Sequence, residues 1–190
     1  MSEVNSERLK KIYHDRLSIE ESTDVAWFIL REINKVLGLN LAKYLNDIDN
    51  PKVLDLCCGK GGVALRLKKY GLNNAKIFGL DIYDYKLKPV ENPYEEIIIG
   101  DITKDNTIEK IKEANSDGFH LITCFRPPPE IFEFIFNNLE KFTPLLKPGG
   151  YIICTNEIST NLVKKDTNII KTDNPAAPII AVYKNPEEKN

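Results

Sequence analysis

Three acids and a glycine-rich turn carry most of the chemistry in this sequence. Val53-Leu54-Asp55-Leu56 is a short apolar run with one carboxylate in it, and it leads straight into Cys57-Cys58-Gly59-Lys60-Gly61-Gly62. Glycines let a backbone come close to a ligand, and a helix starting behind them offers unpaired N–H groups to an anion. Asp81 closes the next apolar segment, about twenty residues past the loop, where an acid can hold a ribose diol through two hydrogen bonds. Asp101 closes the segment after that and is suited to accept from an adenine amino group.

The loop alone is ambiguous. Gly59, Gly61 and Ala64 fit the dinucleotide fingerprint G-x-G-x-x-A, with Asp81 as its ribose acid. Against a nicotinamide reading, Asp55 puts a carboxylate just before the loop, where it would repel a pyrophosphate. The second acid at Asp101 and two strand-like segments near the end of the chain, suggesting an antiparallel hairpin, point the same way.

The elements that must position these residues follow from periodicity. Asn5 to Leu17 reads as a helix. A capping box at Ser18 and Glu21 opens a second one, which Gly38 stops. Leu41 to Leu45 adds a turn or two, so residues 1–50 read as a helical N-terminal cap. From Pro51 strands alternate with helices. Strands are predicted at Val53–Leu56, Lys76–Asp81, Glu96–Asp101, Phe119–Cys124 and Tyr151–Thr155, with short β-rich pieces around 168–170 and 179–183. Helices are predicted at Gly62–Tyr70, Thr107–Ala114 and Glu130–Phe142, and Tyr83–Tyr94 is irregular around Pro89 and Pro93. Such alternation gives an α/β fold with a parallel sheet wound on both faces, whose ligands bind beyond the carboxyl ends of the strands.

Composition bounds the rest. A chain of 190 residues, 42% hydrophobic and 28% charged, is one globular domain (1–190) with a full core. A net charge of −2 gives no general nucleic-acid signal. No apolar run approaches roughly 18 residues and Met1 to Lys10 is polar, so a cytoplasmic protein away from membranes is expected. Cys57, Cys58, Cys124 and Cys154 form no C-x-x-C pair, which favours buried reduced thiols and no metal.

Together these residues carry a resemblance. Val53 to Gly62 resembles the first motif of the class I, Rossmann-like S-adenosylmethionine-dependent methyltransferases. Asp81 and Asp101 match that family's acids after the second and third strands, and Leu146-Lys147-Pro148-Gly149-Gly150 is similar to its turn before the fifth. The resemblance covers 51–190 as the catalytic core and implies a seven-stranded, mostly parallel sheet with S-adenosyl-L-methionine as cofactor. By that resemblance Asp55, with Gly59, Gly61 and the neighbouring Cys57 and Cys124, would surround the methionine portion. Asp81 would take the ribose, Asp101 the adenine amino group, and Ile82 and Ile102 would pack on the base.

The acceptor segment is Cys124-Phe125-Arg126-Pro127-Pro128-Pro129. It lacks the Asn or Asp with which amino-methylating members hold an amine. Phe125 is then a pocket wall and Arg126 either a contact for an anionic acceptor or a surface partner of Glu130 or Glu157. Tyr13 and His14 would reach the pocket if the N-terminal helices close over it. His120 begins its strand, away from the ligand edge, and reads as structural; Trp27 reads as packing on the sheet. Gly59-Lys60-Gly61-Gly62 also resembles the loop of cap guanine-N7 methyltransferases. On compactness and charge, a small-molecule acceptor is favoured over RNA or protein, and a non-catalytic cofactor-binding subunit is the alternative outside enzymes.

Overall fold

A computed structural model describes residues 19–87, 92–156, 167–173 and 177–187. The expected helix at Asn5–Leu17, with Tyr13 and His14, lies outside them. Helix α1 (Ile19–Leu37) buries Ala26, Ile29 and Ile33, spaced three and four residues apart as one helical face requires. It ends at Gly38, whose φ of 66° suits glycine. Helix α2 (Leu41–Asn46) is capped by Asn40, whose side-chain oxygen accepts from the Lys43 N–H at 3.0 Å.

The core is a seven-stranded sheet. In chain order come β1 (Lys52–Leu56), α3 (Gly62–Lys69), β2 (Lys76–Asp81), β3 (Glu96–Ile99), α4 (Asp105–Ala114) and β4 (Phe119–Cys124). They are followed by α5 (Pro129–Asn137), α6 (Leu139–Phe142), a 3₁₀ turn (Thr143–Leu145), β5 (Leu146–Asn156), β6 (Thr167–Lys171) and β7 (Ile179–Lys184). The spatial order is β3-β2-β1-β4-β5-β7-β6, so the order reverses between β1 and β4. All neighbours are parallel except β7, which runs antiparallel to both β5 and β6, the expected hairpin.

Period-two alternation divides the strands between two apolar layers. Leu54, Leu56, Phe78 and Ile122 face α4, α5 and α6 together with Phe132, Phe136 and Phe142. Val53, Ile77, Leu121 and Ile153 face the other way, onto Ala26, Ile29 and Ile33 of α1 and Ala64 and Leu67 of α3. At about 25 cal/mol per Å² of apolar surface, these two layers are the main source of stability.

Several boundaries differ from expectation. The apolar run 130–142 is two helices, not one. It breaks at Asn138, whose φ of −127° leaves the helix while its side-chain NH2 donates to the Phe134 carbonyl at 2.7 Å. The Pro148-Gly149-Gly150 turn lies within β5, where the pairing with β4 shifts register between Phe119 and Leu121. A Cβ at Gly150 would sit 2.9 Å from the Lys147 carbonyl, so only glycine fits there. Asp101 lies two residues past β3 rather than in it. Trp27 does not pack on the sheet: it is 37% exposed, because Ala26, Ile29 and Ile33 take the buried face of α1.

Candidate active site

The carboxyl ends of β1, β2 and β4 meet where strand order reverses, the place at which open α/β sheets bind ligands. The backbone is unusual at that edge. Cys57, directly after β1, and Arg126, two residues after β4, both sit at left-handed φ, 54° and 55°. Non-glycine residues there store backbone strain, which clusters at functional sites. Gly59 (53°) and Gly61 (89°) share the left-handed region at no such cost. The Gly61 N–H donates to the Cys58 carbonyl at 3.0 Å and the Cys58 N–H to the Leu80 carbonyl at 3.0 Å, tying the loop to β2. A Cβ at Gly59 would meet nothing within 4 Å, so its outer side faces open space, whereas one at Gly61 would press on Pro93 at 3.1 Å.

Asp81, at the end of β2, reaches back to this loop. One of its oxygens accepts from the Gly59 N–H at 2.9 Å and the other from the Tyr83 N–H at 3.0 Å. Burial raises its carboxyl above the usual value, and the Gly59, Tyr83 and Ile82 amides pull it back. Asp81 therefore braces the glycine loop and keeps lone pairs to accept from a ligand hydroxyl. Tyr85, whose ring meets Tyr83 edge-on at 4.9 Å, has its phenol pushed up by burial and next by the Asp81 charge, so it too borders the acid.

Asp55 differs from expectation. It is 1% exposed, and both oxygens are taken within the protein, by the Tyr94 hydroxyl at 2.8 Å and the Thr123 hydroxyl at 2.9 Å. Burial lifts its carboxyl to about 7, against the pull of those two bonds and with a further push from the Asp81 charge. It ties β1 to β4 and to the β2–β3 connection. Tyr94 was not legible as part of the site: it lies in a segment with no periodicity, and only the need of a buried acid for a donor pointed to any such residue.

The other expected residues are placed as follows. Asp101 accepts from the Thr103 N–H at 2.9 Å and the Thr103 hydroxyl at 2.8 Å, bracing the turn into α4. Ile82 is partly exposed at the ligand edge, but Ile102 is 3% exposed and belongs to the core with Ile98 and Ile108. Cys57 is half-buried and its thiol meets that of buried Cys124, which in turn meets that of Cys154 across the β4–β5 pair. The Cys57, Cys58 and Cys124 thiols are all pushed up, Cys57 mainly by its Cys124 contact and the other two by burial, so they stay protonated and poorly nucleophilic. Among the described residues no cluster of three His, Cys, Asp or Glu could hold a metal ion.

Phe125 is buried on the α1 side, and the Arg126 N–H donates to the Thr155 hydroxyl at 2.8 Å, which fixes the bend before the prolines. His120 is at the opposite end of β4, where its Nδ1 accepts from the Lys52 N–H at 3.0 Å; it is structural, as expected. No helix among the described residues is long and apolar enough to cross a membrane.

Comparison with known proteins bears on this site. An mRNA cap guanine-N(7) methyltransferase of Caenorhabditis elegans is 32% identical over 165 residues, covering 74% of this chain and 42% of that protein. Its Caenorhabditis briggsae namesake is 27% identical over 125 residues, covering 56% of this chain and 32% of that protein. The chain thus spans less than half the length of these curated relatives. Among solved structures, an S-adenosyl-L-methionine methyl transferase from Silicibacter pomeroyi DSS-3 superposes with a TM-score of 0.56 at 15% identity, over 90% of this chain and 98% of that one, a likeness of fold. The model of the FtsJ-like methyltransferase family matches residues 25–167, taking in the glycine loop, Asp81, Asp101 and the strand-order reversal, and the chain belongs to that family.

Proposed function

We propose that this chain transfers a methyl group from S-adenosylmethionine to RNA, with N7 of a cap guanine as the acceptor. One observation carries the cofactor half: the Gly59–Asp81 brace, which sets a glycine loop with open space on its outer side beside a strand-end acid. The residues present fit the cofactor. The loop and the start of α3 offer N–H groups to its carboxylate. Asp81 has lone pairs left for ribose hydroxyls, and Asp101 and Ile82 lie on the base side. Asp55 is the exception. At 1% exposure, between Tyr94 and Thr123, it acts by holding the loop in shape, and the methionine ammonium falls to backbone carbonyls. When bound, S-adenosylmethionine supplies a methyl group already activated on a sulfonium.

The acceptor half rests on the cap methyltransferase relatives and on the chemistry of the edge. Guanine N7 has a free lone pair and no proton to lose, so its methylation needs alignment and exclusion of water but no base. The β4 end supplies backbone and Phe125. A small-molecule acceptor, favoured on compactness and charge, has no support from these relatives.

The test uses labelled methyl donor with GpppG-capped RNA, the same RNA uncapped, and uncapped RNA with a free 5′ triphosphate. Label confined to the capped RNA and recovered as 7-methylguanine supports the proposal. Label on internal bases of all three would move the acceptor within RNA. No transfer, with no calorimetric heat on adding S-adenosylmethionine, would remove the cofactor reading.

A further inference from the structure

A second feature lies one helical turn from the loop. Arg66 is four residues into α3, about 6 Å along the helix axis from Gly62. Its guanidinium carbon lies 4.8 Å from the centre of the Tyr70 ring and 5.8 Å from that of Trp27, which reaches across from α1. The Arg31 guanidinium covers the same indole at 4.6 Å. Arg66 Nε is shut off from solvent and has no hydrogen-bond partner, and among the described residues no carboxylate pairs with this side chain. Glu32 is already taken by Arg31 at 3.3 Å and Lys35 at 3.6 Å. A half-buried cation held among rings without a counter-ion is costly unless something outside supplies the negative charge. Exposed Lys69 lies one turn past Arg66 on α3 and exposed Lys35 one turn past Arg31 on α1, while exposed Asp24 stands one turn before Trp27.

We infer that the α1–α3 face, centred on Trp27, Arg66 and Tyr70, is a docking surface for the single-stranded RNA that follows the methylated end. With Nε buried, the stacked guanidinium would meet a phosphate through its two Nη groups, a planar pair that lysine lacks. Trp27, 37% exposed between the two guanidinium groups, offers apolar ring surface to a base. Aromatic rings interleaved with cations are what single strands bind, without regard to sequence. Charge and stacking together favour nucleic acid over an acidic protein, which would use the cations and leave the indole idle. The inference rests on the RNA reading of the active site and adds to it a way to hold the body of the strand.

The test compares a GpppG dinucleotide with a capped 12-nucleotide RNA as methyl acceptors, and follows binding of the same RNA by fluorescence anisotropy across salt. Arg66→Gln and Trp27→Ala should each weaken binding of the 12-mer about tenfold and raise its KM, leaving dinucleotide turnover as in the wild type. Loss of one phosphate contact lowers the salt slope by about 0.7. Arg66→Lys keeps charge and helix, and should still lose several-fold; with Lys69→Gln it gives the same readout if the first two variants fold poorly. Unchanged RNA affinity and salt slope in these variants, with the wild type still methylating caps, would overturn the surface alone and leave Arg66 to a protein carboxylate. Equal loss on dinucleotide and 12-mer would also overturn it, as damage to the active site. A wild type that neither binds nor methylates any RNA would overturn both readings.

Discussion

Asp55 shows how one buried carboxylate sets conditions for the site around it. Its carboxyl titrates near 7 in the folded chain against 3.8 ordinarily, so between those values the folded state holds a proton that the unfolded state has lost. Stability contributed by this group is therefore full below about pH 4 and is lost as pH rises through 7. Asp55→Asn should flatten that fall, because the amide keeps one acceptor for Tyr94 or Thr123 and never ionises. Urea midpoints from pH 4 to 8 would show it, and an equally steep decline in the variant would rule Asp55 out as the cause. At Gly59 the expectation is reversed in kind. Alanine there would cost about 1 kcal/mol in backbone conformation, since its Cβ meets no neighbour. It would intrude where the cofactor is proposed to lie. A small shift in melting temperature with at least tenfold weaker S-adenosylmethionine binding is expected; unimpaired binding would mean the ligand sits elsewhere. Asp81→Ala should weaken that binding by about 1–3 kcal/mol and also loosen the loop, because the Gly59 N–H loses its acceptor. Calorimetry measures the first effect and amide exchange at Gly59 the second.

At the scale of elements, the segment between β2 and β3 does the work a helix might have done. Tyr94 is 7% exposed, packs on Gly61 and Gly79 and donates to Asp55. Tyr94→Phe keeps the packing and removes the donor, so a loss of about 1–3 kcal/mol is expected, growing with pH as Asp55 ionises. Denaturant melts at pH 5 and pH 8 would test it, and equal losses at both would count against it. This segment was also the least legible in the sequence. Strands β1, β2 and β4 announced themselves as apolar runs of strand length, and Gly38 and the glycine loop as stops and turns, because those signals are local. The break at Asn138, the exposure of Trp27 and the burial of Tyr94 are decided by partners far along the chain. Periodicity carries no trace of those partners. Of the site, the glycine loop and Asp81 could be read from spacing; the inward turn of Asp55 could not, because strand alternation gives a face and not the identity of the donor waiting on it.

For the whole molecule, the two apolar layers fix which edge of the sheet is open. Helices α1 and α3 cover one face and α4, α5 and α6 the other, leaving the carboxyl ends of β1, β2 and β4 as the place where backbone strain, acids and the glycine loop converge. The knot that secures this edge is also a matter of time. Asp55 is met by Tyr94 from 39 residues away and by Thr123 from 68. Neither partner can arrive before β2 and β4 have settled beside β1, and closing such long loops costs entropy before any contact rewards it. The glycine loop should then be among the last parts of the chain to take its final shape. Removing the Tyr94 hydroxyl would speed unfolding and leave the folding rate almost untouched, so a chevron plot of Tyr94→Phe would move on one limb only.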